Sequence, residues 1–268
     1  MLLSIENLSV SFFDTDSPFL AVNNINFHVD KGEIVGIVGE SGSGKSTAAH
    51  AMIGLIQRSR SKVSGKAYFN GKDIISMPRR ELRQYQGKEI SIIFQEPMTS
   101  LDPTMKVGKQ VEETLKLHTD MTPEQRRKRA LEVMELAELD SPERLFDCYP
   151  HELSGGMRQR IMIASALAAH PQLLIADEPT TALDVTIQAD ILKTLRDINQ
   201  KEGTAILFIS HDLGVIRHLC ERVIVMQNGV IVEEGEIDKV FYHPEHPYTR
   251  QLLAARPTRV KLKGGGNV

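Results

Sequence analysis

Thiols are scarce in this chain: its 268 residues include two cysteines, Cys148 and Cys220, and neither has a second thiol near it in sequence. That spacing excludes a C-x-x-C metal site and suits a reducing compartment, so both read as packing residues. Long apolar runs are missing too. The most apolar segment, 161–176, is broken by His170, Pro171 and Gln172 and falls short of the roughly 20 uninterrupted apolar residues a bilayer span needs. Any membrane role is therefore expected to be indirect. There is no excess of basic charge, because the formal net charge is -3; polyanions find no general attraction, which argues against nucleic acid as a partner. Residues 2–10 read directly as a strand, without the basic stretch and apolar core of a secretory signal. The chain is expected in the cytosol or, peripherally, on the cytosolic face of the cell membrane. No internal repeat is found. What is present is 41% hydrophobic and 25% charged residues, enough over this length for a substantial core in one or two domains.

Strand signals dominate the start. Residues 2–13 and 20–29 are rich in Val, Ile and Phe, and between them lies a turn segment with Asp14, Asp16, Ser17 and Pro18. Asn70-Gly71 and Asn228-Gly229 are type I′ dipeptides, predicting hairpins that join 66–69 to 72–75 and 223–226 to 230–232. From Pro97 the texture turns helical. Thr122-Pro123-Glu124-Gln125 reads as an N-cap, a proline at the first helical position and a capping-box glutamine. The basic run 126–129 on that helix reads as a solvated face rather than a nucleic-acid signal. Strand-type sequence returns at 173–176 and 205–210, with helix-compatible residues 187–200 between them. This βαβ rhythm predicts a mainly parallel sheet whose ligand edge lies at the strand C-termini. Beyond about Glu236 the chain is rich in Pro and His, and 263–268 is expected to be mobile.

Three constellations carry chemistry. Residues 39–46, Gly-Glu-Ser-Gly-Ser-Gly-Lys-Ser, follow the apolar run 34–38 and lead into a helix-compatible run, 47–56. They fit G-x-x-x-x-G-K-[ST], in which glycines turn the backbone so that successive N–H groups and the helix N-terminus converge on phosphate oxygens. Lys45 then reaches the β- and γ-phosphates and the Ser46 hydroxyl sits on Mg²⁺. Second, residues 173–178 form an apolar strand ending in Asp177 and Glu178. Asp177 suits a Mg²⁺ carboxylate, and Glu178 a general base that polarises the attacking water, which would make the protein a hydrolase. Third, Leu153-Ser154-Gly155-Gly156-Met157 opens a helix running to roughly Ala169, a second anion-type helix head in a chain that already has one complete cradle.

In order along the chain, the Walker A loop, the isolated Gln95, LSGGM at 153–157, LLIADE at 173–178, Ala182-Leu183-Asp184 and Ser210-His211-Asp212 resemble the nucleotide-binding subunit of an ATP-binding cassette (ABC) transporter. The match runs from about residue 2 to 240. It implies an α/β P-loop NTPase fold: a RecA-like, mainly parallel core with an antiparallel β subdomain (1–94 and 168–238), an inserted helical subdomain (95–167) and a short tail (239–268). By the same resemblance, two subunits dimerise head to tail and each ATP lies between one P-loop and the partner's LSGGM segment. Gly39, Glu40, Ser41, Gly42, Ser43, Gly44, Lys45, Ser46 and Thr47 would cradle the phosphates. Gln95 would contact Mg²⁺ or the water, Asp177 would order Mg²⁺, Glu178 would activate water and His211 would hold the γ-phosphate. Ser154, Gly155, Gly156 and Asp184 would act across the dimer. Phe12 aligns with the aromatic that stacks on adenine, with Phe13 as its alternative.

The tail narrows the resemblance. His243-Pro244-Glu245-His246-Pro247-Tyr248-Thr249, followed by Leu252-Leu253, is similar to the C-terminal motif of ATPases that serve oligopeptide, dipeptide and nickel importers, as are residues 179–186 and Gln95-Glu96-Pro97. As zinc ligands His243 and His246 are disfavoured, since Pro244 and Pro247 prevent the helix that would align them. Longer members carry a cysteine-rich extension that can hold an iron-sulfur cluster; without those cysteines no cluster is expected here. The implied partners are two transmembrane permeases, a second ATPase subunit and, indirectly, an extracytoplasmic solute-binding protein, with ATP and Mg²⁺ at the site. A soluble cassette ATPase acting on DNA is the alternative. Such proteins insert a long coiled coil between these motifs, and this chain has no sustained heptads.

Overall fold

Residues 34–38, 173–177 and 205–210 are apolar at nearly every position, and they form β3 (Ile34–Val38), β7 (Leu173–Asp177) and β8 (Ala205–Ser210), with every residue of each buried. Strands of this kind are covered on both faces, which is the environment of a parallel sheet. The computed structural model describes residues 1–13, 18–57, 59–96, 100–180 and 184–255. In it these three strands occupy the middle of a six-stranded sheet of order β10-β9-β3-β8-β7-β6, where β6 is Ile90–Ile93, β9 is Arg222–Gln227 and β10 is Val230–Glu236. All pairings are parallel except β9 with β10. A four-stranded antiparallel sheet, β2-β1-β4-β5, is built from β1 (Leu3–Phe12), β2 (Phe19–Val29), β4 (Ser61–Phe69) and β5 (Lys72–Asp73).

Strand alternation divides the apolar residues between two cores. Val35, Ile37, Leu173, Ile175, Leu207 and Ile209 join the antiparallel sheet and α1 (Lys45–Met52) in one cluster. Their neighbours Ile34, Val38, Leu174, Ala176, Ile206 and Phe208 face the other cluster. There they meet α3 (Val107–His118), α4 (Pro123–Leu136), α6 (Gly155–Leu167), α7 (Val185–Glu202) and α8 (Leu213–Leu219). The parallel sheet is thus the middle layer, with β structure on one side and helices on the other. Each fully buried Val, Leu or Ile contributes about 1.5–3 kcal/mol, so both faces of β3, β7 and β8 are strongly specified.

Local signals behave as their chemistry dictates. Thr122 accepts the Gln125 amide and Gln125 returns a bond to the Thr122 amide, closing the capping box at α4. Both Asn-Gly pairs turn with positive φ at both residues, 48° and 79° at Asn70-Gly71 and 48° and 80° at Asn228-Gly229. Several boundaries differ from expectation. The helix expected over 47–56 ends at Met52, because Gly54 at φ 69° closes a Schellman motif in which Leu55 N–H bonds His50 O. The strand expected over 72–75 pairs only at Lys72 and Asp73, since the Asp73 carboxylate takes the Ala67 and Ile75 amides in place of ladder partners. The helix expected to reach about 169 stops at Leu167, and α7 is longer than 187–200 at both ends. Strand β6 and helix α2 (Arg79–Tyr85) carry no strong sequence signal. The Pro- and His-rich stretch after Glu236 forms two helices, α9 (Ile237–Tyr242) and α10 (Pro247–Ala254). Pro247 starts α10 and His246 caps it by accepting the Tyr248 amide. Between α4 and α6 lies the short α5 (Pro142–Leu145). The turn at Asp14, Asp16 and Ser17, the residues Pro97, Ala182 and Leu183, and the end 263–268 lie outside the described residues.

Candidate functional site

Because β3, β8, β7 and β6 are neighbours running the same way, their C-terminal ends place four chemically distinct segments side by side. The loop after β3 leads into α1; His211 follows β8; Asp177 and Glu178 end β7; Gln95 follows β6. Each was singled out in a different part of the sequence, and sheet order alone makes them one site.

Gly44, the N-cap of α1, sits at φ 98°, and a Cβ there would lie 2.5 Å from Ala21 O, so only glycine fits. It also supplies no side-chain cap, while the first-turn amides of a helix have no intrahelical acceptor. Lys45 is buried at 4% exposure, its ammonium donating to Gly39 O at 2.8 Å and Glu40 O at 2.9 Å. Burial pulls its pKa down; the nearby Glu178 and Asp177 carboxylates oppose that pull. Ser43 N–H bonds Glu40 O, and the Ser43 hydroxyl is buried without a partner. An unfilled donor set of this kind, at the positive end of a helix, fits a polyanion such as a triphosphate.

Ser46 Oγ donates to Asp177 Oδ1 at 2.7 Å, and His50 Nε2 stands 3.2 Å from Oδ2 without hydrogen-bond geometry. Among the described residues no group of three or more His, Cys, Asp or Glu is placed to hold a metal ion by side chains alone. One hydroxyl and one carboxylate, with the balance left to water and phosphate oxygens, is a donor set that suits Mg²⁺. Glu178 is held in the left-handed region at φ 47°, its amide bonded to Ile209 O. That backbone costs of order 1–3 kcal/mol in a residue with a Cβ, and such strain concentrates at functional positions. Its carboxylate receives Gln95 Nε2 at 3.3 Å and lies 3.2 Å from His211 Nδ1.

These residues surround a cavity of about 650 Å³ lined by Glu40, Ser41, Gly42, Gly44, Lys45, Ser46, Thr47, Gln95, Glu178 and His211. Gly39, Ser43 and Asp177 are buried just behind it. Its apolar end is formed by Phe12, Phe19 and Ala21. Of the two adjacent candidates for that end, Phe12 lines the cavity and Phe13 does not. Phe19, 61% exposed and directly opposite Phe12 in the β1–β2 register, escaped sequence reasoning because only pairing reveals it. Leu252 of α10 is a further wall residue that no motif announced by itself.

Ser154, Gly155, Gly156 and Asp184 are not among the lining residues. Ser154 caps α6 by accepting the Met157 amide, and Asp184 is the N-cap of α7 without a side-chain cap bond. These two helix heads pack together: a Cβ on buried Gly156 would come within 3.1 Å of Ile187 in the first turn of α7.

A mainly parallel sheet with a glycine loop, a lysine and paired acids at its strand ends defines a P-loop NTPase. Residues 22–181 match the ABC transporter family model. The chain belongs to the ABC transporter family. It is 52% identical over 258 residues to the oligopeptide transport ATP-binding protein OppD of Bacillus subtilis (strain 168), an alignment covering 96% of this chain and 72% of that one. To the dipeptide transport ATP-binding protein DppD of Escherichia coli (strain K12) it is 47% identical over 256 residues, covering 96% and 78%. Its fold is similar to the dimeric post-hydrolysis state of the ATP-binding cassette MJ0796 bound to ADP and Pi, with a TM-score of 0.79 and 32% identity over 88% of this chain and 99% of that one.

Proposed function

We propose that this chain is the ATP-hydrolysing subunit of an ABC importer that energises peptide uptake through partner permeases. The observation that carries the reading is the convergence of Lys45, Ser46, Asp177, Glu178, Gln95 and His211 around one cavity. Lys45 leaves the loop carbonyls to neutralise phosphate charge, and the loop amides and the head of α1 receive the remaining oxygens. Phe12, with Phe19 beside it, offers the base an aromatic face. Ser46 and Asp177, with Gln95 alongside, would hold a Mg²⁺ ion, which when bound would supply neutralisation of phosphate charge. Glu178 takes the proton of the attacking water, and His211 and Gln95 keep its carboxylate oriented. Catalysis on this reading is positioning and electrostatics rather than covalent chemistry.

Ser154, Gly155, Gly156 and Asp184 act on the nucleotide of a second ATPase subunit, the same chain or a paralogue. Residues 95–167 form the helical subdomain between the halves of the ATP-binding core, and 239–268 the tail. Peptides are favoured as cargo by relatives that are oligopeptide, dipeptide and probable peptide transport ATP-binding proteins; nickel or a metal chelate is the second choice, and a DNA-acting role gains no support. Among the described residues no helix is long and apolar enough to cross a membrane, so attachment to the cytosolic face is through the permeases, with a solute-binding protein on the far side.

Glu178→Gln keeps the shape and removes the base. Turnover is expected to fall by about 10²–10⁴-fold, the usual worth of general-base catalysis, while ATP binding persists and the subunits elute as an ATP-dependent dimer. Parental turnover in that variant would remove Glu178 from its role.

A further inference from the structure

The HPEHPYT segment and α10 lie far along the chain from the phosphate loop, yet the two touch through one buried tyrosine. The Glu40 N–H donates to Tyr248 Oη at 3.0 Å. Glu40 is the second residue of the loop, and its carbonyl accepts from both Lys45 Nζ at 2.9 Å and Ser43 N at 3.1 Å. One peptide residue therefore connects the C-terminal helix to the lysine and to the middle of the cradle. We propose that Tyr248 is a positioning residue for ATP, a strut from α10 that fixes the Glu40 peptide while Lys45 exchanges its loop carbonyls for phosphate. This rests on the reading of the cavity as an ATP site.

Tyr248 is itself held from several sides. Its residue is 5% exposed and neighbouring Thr249 is 0% exposed. The Glu233 carboxylate of β10 accepts the Glu245 amide at 2.8 Å and the His246 amide at 3.0 Å. His246 Nδ1 then accepts the Tyr248 amide at 3.2 Å, and Pro247 begins the helix between them. Arg250 closes the turn from the other side, donating to Pro244 O at 3.0 Å and Glu245 O at 3.2 Å. His246, Pro247 and Arg250 thus set the start of the helix, and the helix carries the phenol to the loop. Burial raises the Tyr248 pKa, although the Glu40 amide pulls the other way, so the phenol stays neutral around pH 7. Four residues on, Leu252 lines the nucleotide cavity. The same helix face therefore supplies both a strut for the loop and part of the wall.

Without the phenol oxygen the Glu40 amide loses its acceptor and the peptide is free to rotate, taking with it the carbonyl that guides Lys45. The cost falls on ATP capture more than on the chemical step. Tyr248→Phe, which keeps the ring and its packing, separates this role from a structural one. In the full chain it is expected to raise KM for ATP by about three- to tenfold, the worth of one neutral hydrogen bond, with kcat little changed. Amide exchange in the 39–44 segment, followed by mass spectrometry, should quicken to a similar degree. Parental KM with parental exchange overturns the strut, and so does a lowered Tm with KM unchanged, because a tyrosine that only packs would give that result. Lys45→Ala is run alongside. If it binds ATP as the parent does, the nucleotide reading itself falls and the strut with it; if it loses ATP while Tyr248→Phe is unaltered, only the strut falls.

Discussion

The heads of α1 and α6 are built from the same few residues, glycine and serine, yet they are opposites in how their amides are satisfied. At α1 the cap is a glycine with no side chain to offer, the adjoining Ser43 hydroxyl is orphaned, and a lysine lies folded onto loop carbonyls. At α6 the cap is Ser154, which already accepts the Met157 amide. The first head is also walled in by the ends of neighbouring strands, whereas Ser154 is exposed and lines no part of the cavity. The difference teaches that a glycine-rich helix start is not by itself an anion site. One head is left incomplete by its own chain and enclosed around the gap. The other has its cap bond made and borders no cavity of the nucleotide-binding kind in its own chain.

The comparison is broken most severely at α1. Lys45→Ala removes the one buried ammonium of the cradle, and ATP affinity is expected to drop about 100-fold, the scale of a lost hydrogen bond to a charged group; isothermal titration checks it. A smaller drop that is still measurable would mean that the loop amides carry more of the affinity than the lysine.

Gly155→Asp sharpens the comparison at α6. An added Cβ at Gly155 meets nothing within 4 Å, and an acid in the first turn of a helix is favourable. The variant should therefore melt within about 0.5 kcal/mol of the parent, as surface substitutions do. If the head faces a partner's triphosphate, the new carboxylate repels it, and ATP turnover should fall by about 100-fold, the equivalent of 2.7 kcal/mol. Unchanged turnover in a colorimetric phosphate assay would mean that α6 meets no nucleotide.

The smallest effect is expected from Ser154→Ala. Loss of an N-cap costs about 1 kcal/mol of stability, readable as a shift of the urea midpoint. A shift near zero would show that the Met157 amide finds water as easily as the serine.

Legibility followed locality. The cradle, the capping box at Thr122 and both Asn-Gly turns depend on backbone preferences of a few consecutive residues, and each is present where its sequence placed it. The apolar strands 34–38 and 205–210 were equally plain, because residues buried on both faces leave no polar interruption. Less could be read of β6, whose four residues carry too short a pattern, and of α2, which buries only Leu82. No element was read in the Pro- and His-rich tail, yet Pro247 at the first position of α10 and His246 at its cap are helix-starting residues once Glu233 holds the turn. The placing of Phe19 at the cavity and the contact of Tyr248 with the loop could not be read from the sequence for a common reason. One depends on the β1–β2 register and the other on a contact spanning 208 positions.

The linear order of motifs by itself determined the candidate chemistry: a loop of phosphate-binding pattern, a hydroxyl and carboxylate suited to a cation, a candidate base, and membership of a family. These follow from side-chain identity and short-range backbone geometry, which act within a few residues. Only the tertiary structure decided that Gln95, Glu178 and His211 meet, that Phe12 rather than Phe13 faces the cavity, and that the C-terminal helix reaches back to the loop. Strand order and register are outcomes of burying two separate apolar faces at once, and no local pattern encodes them.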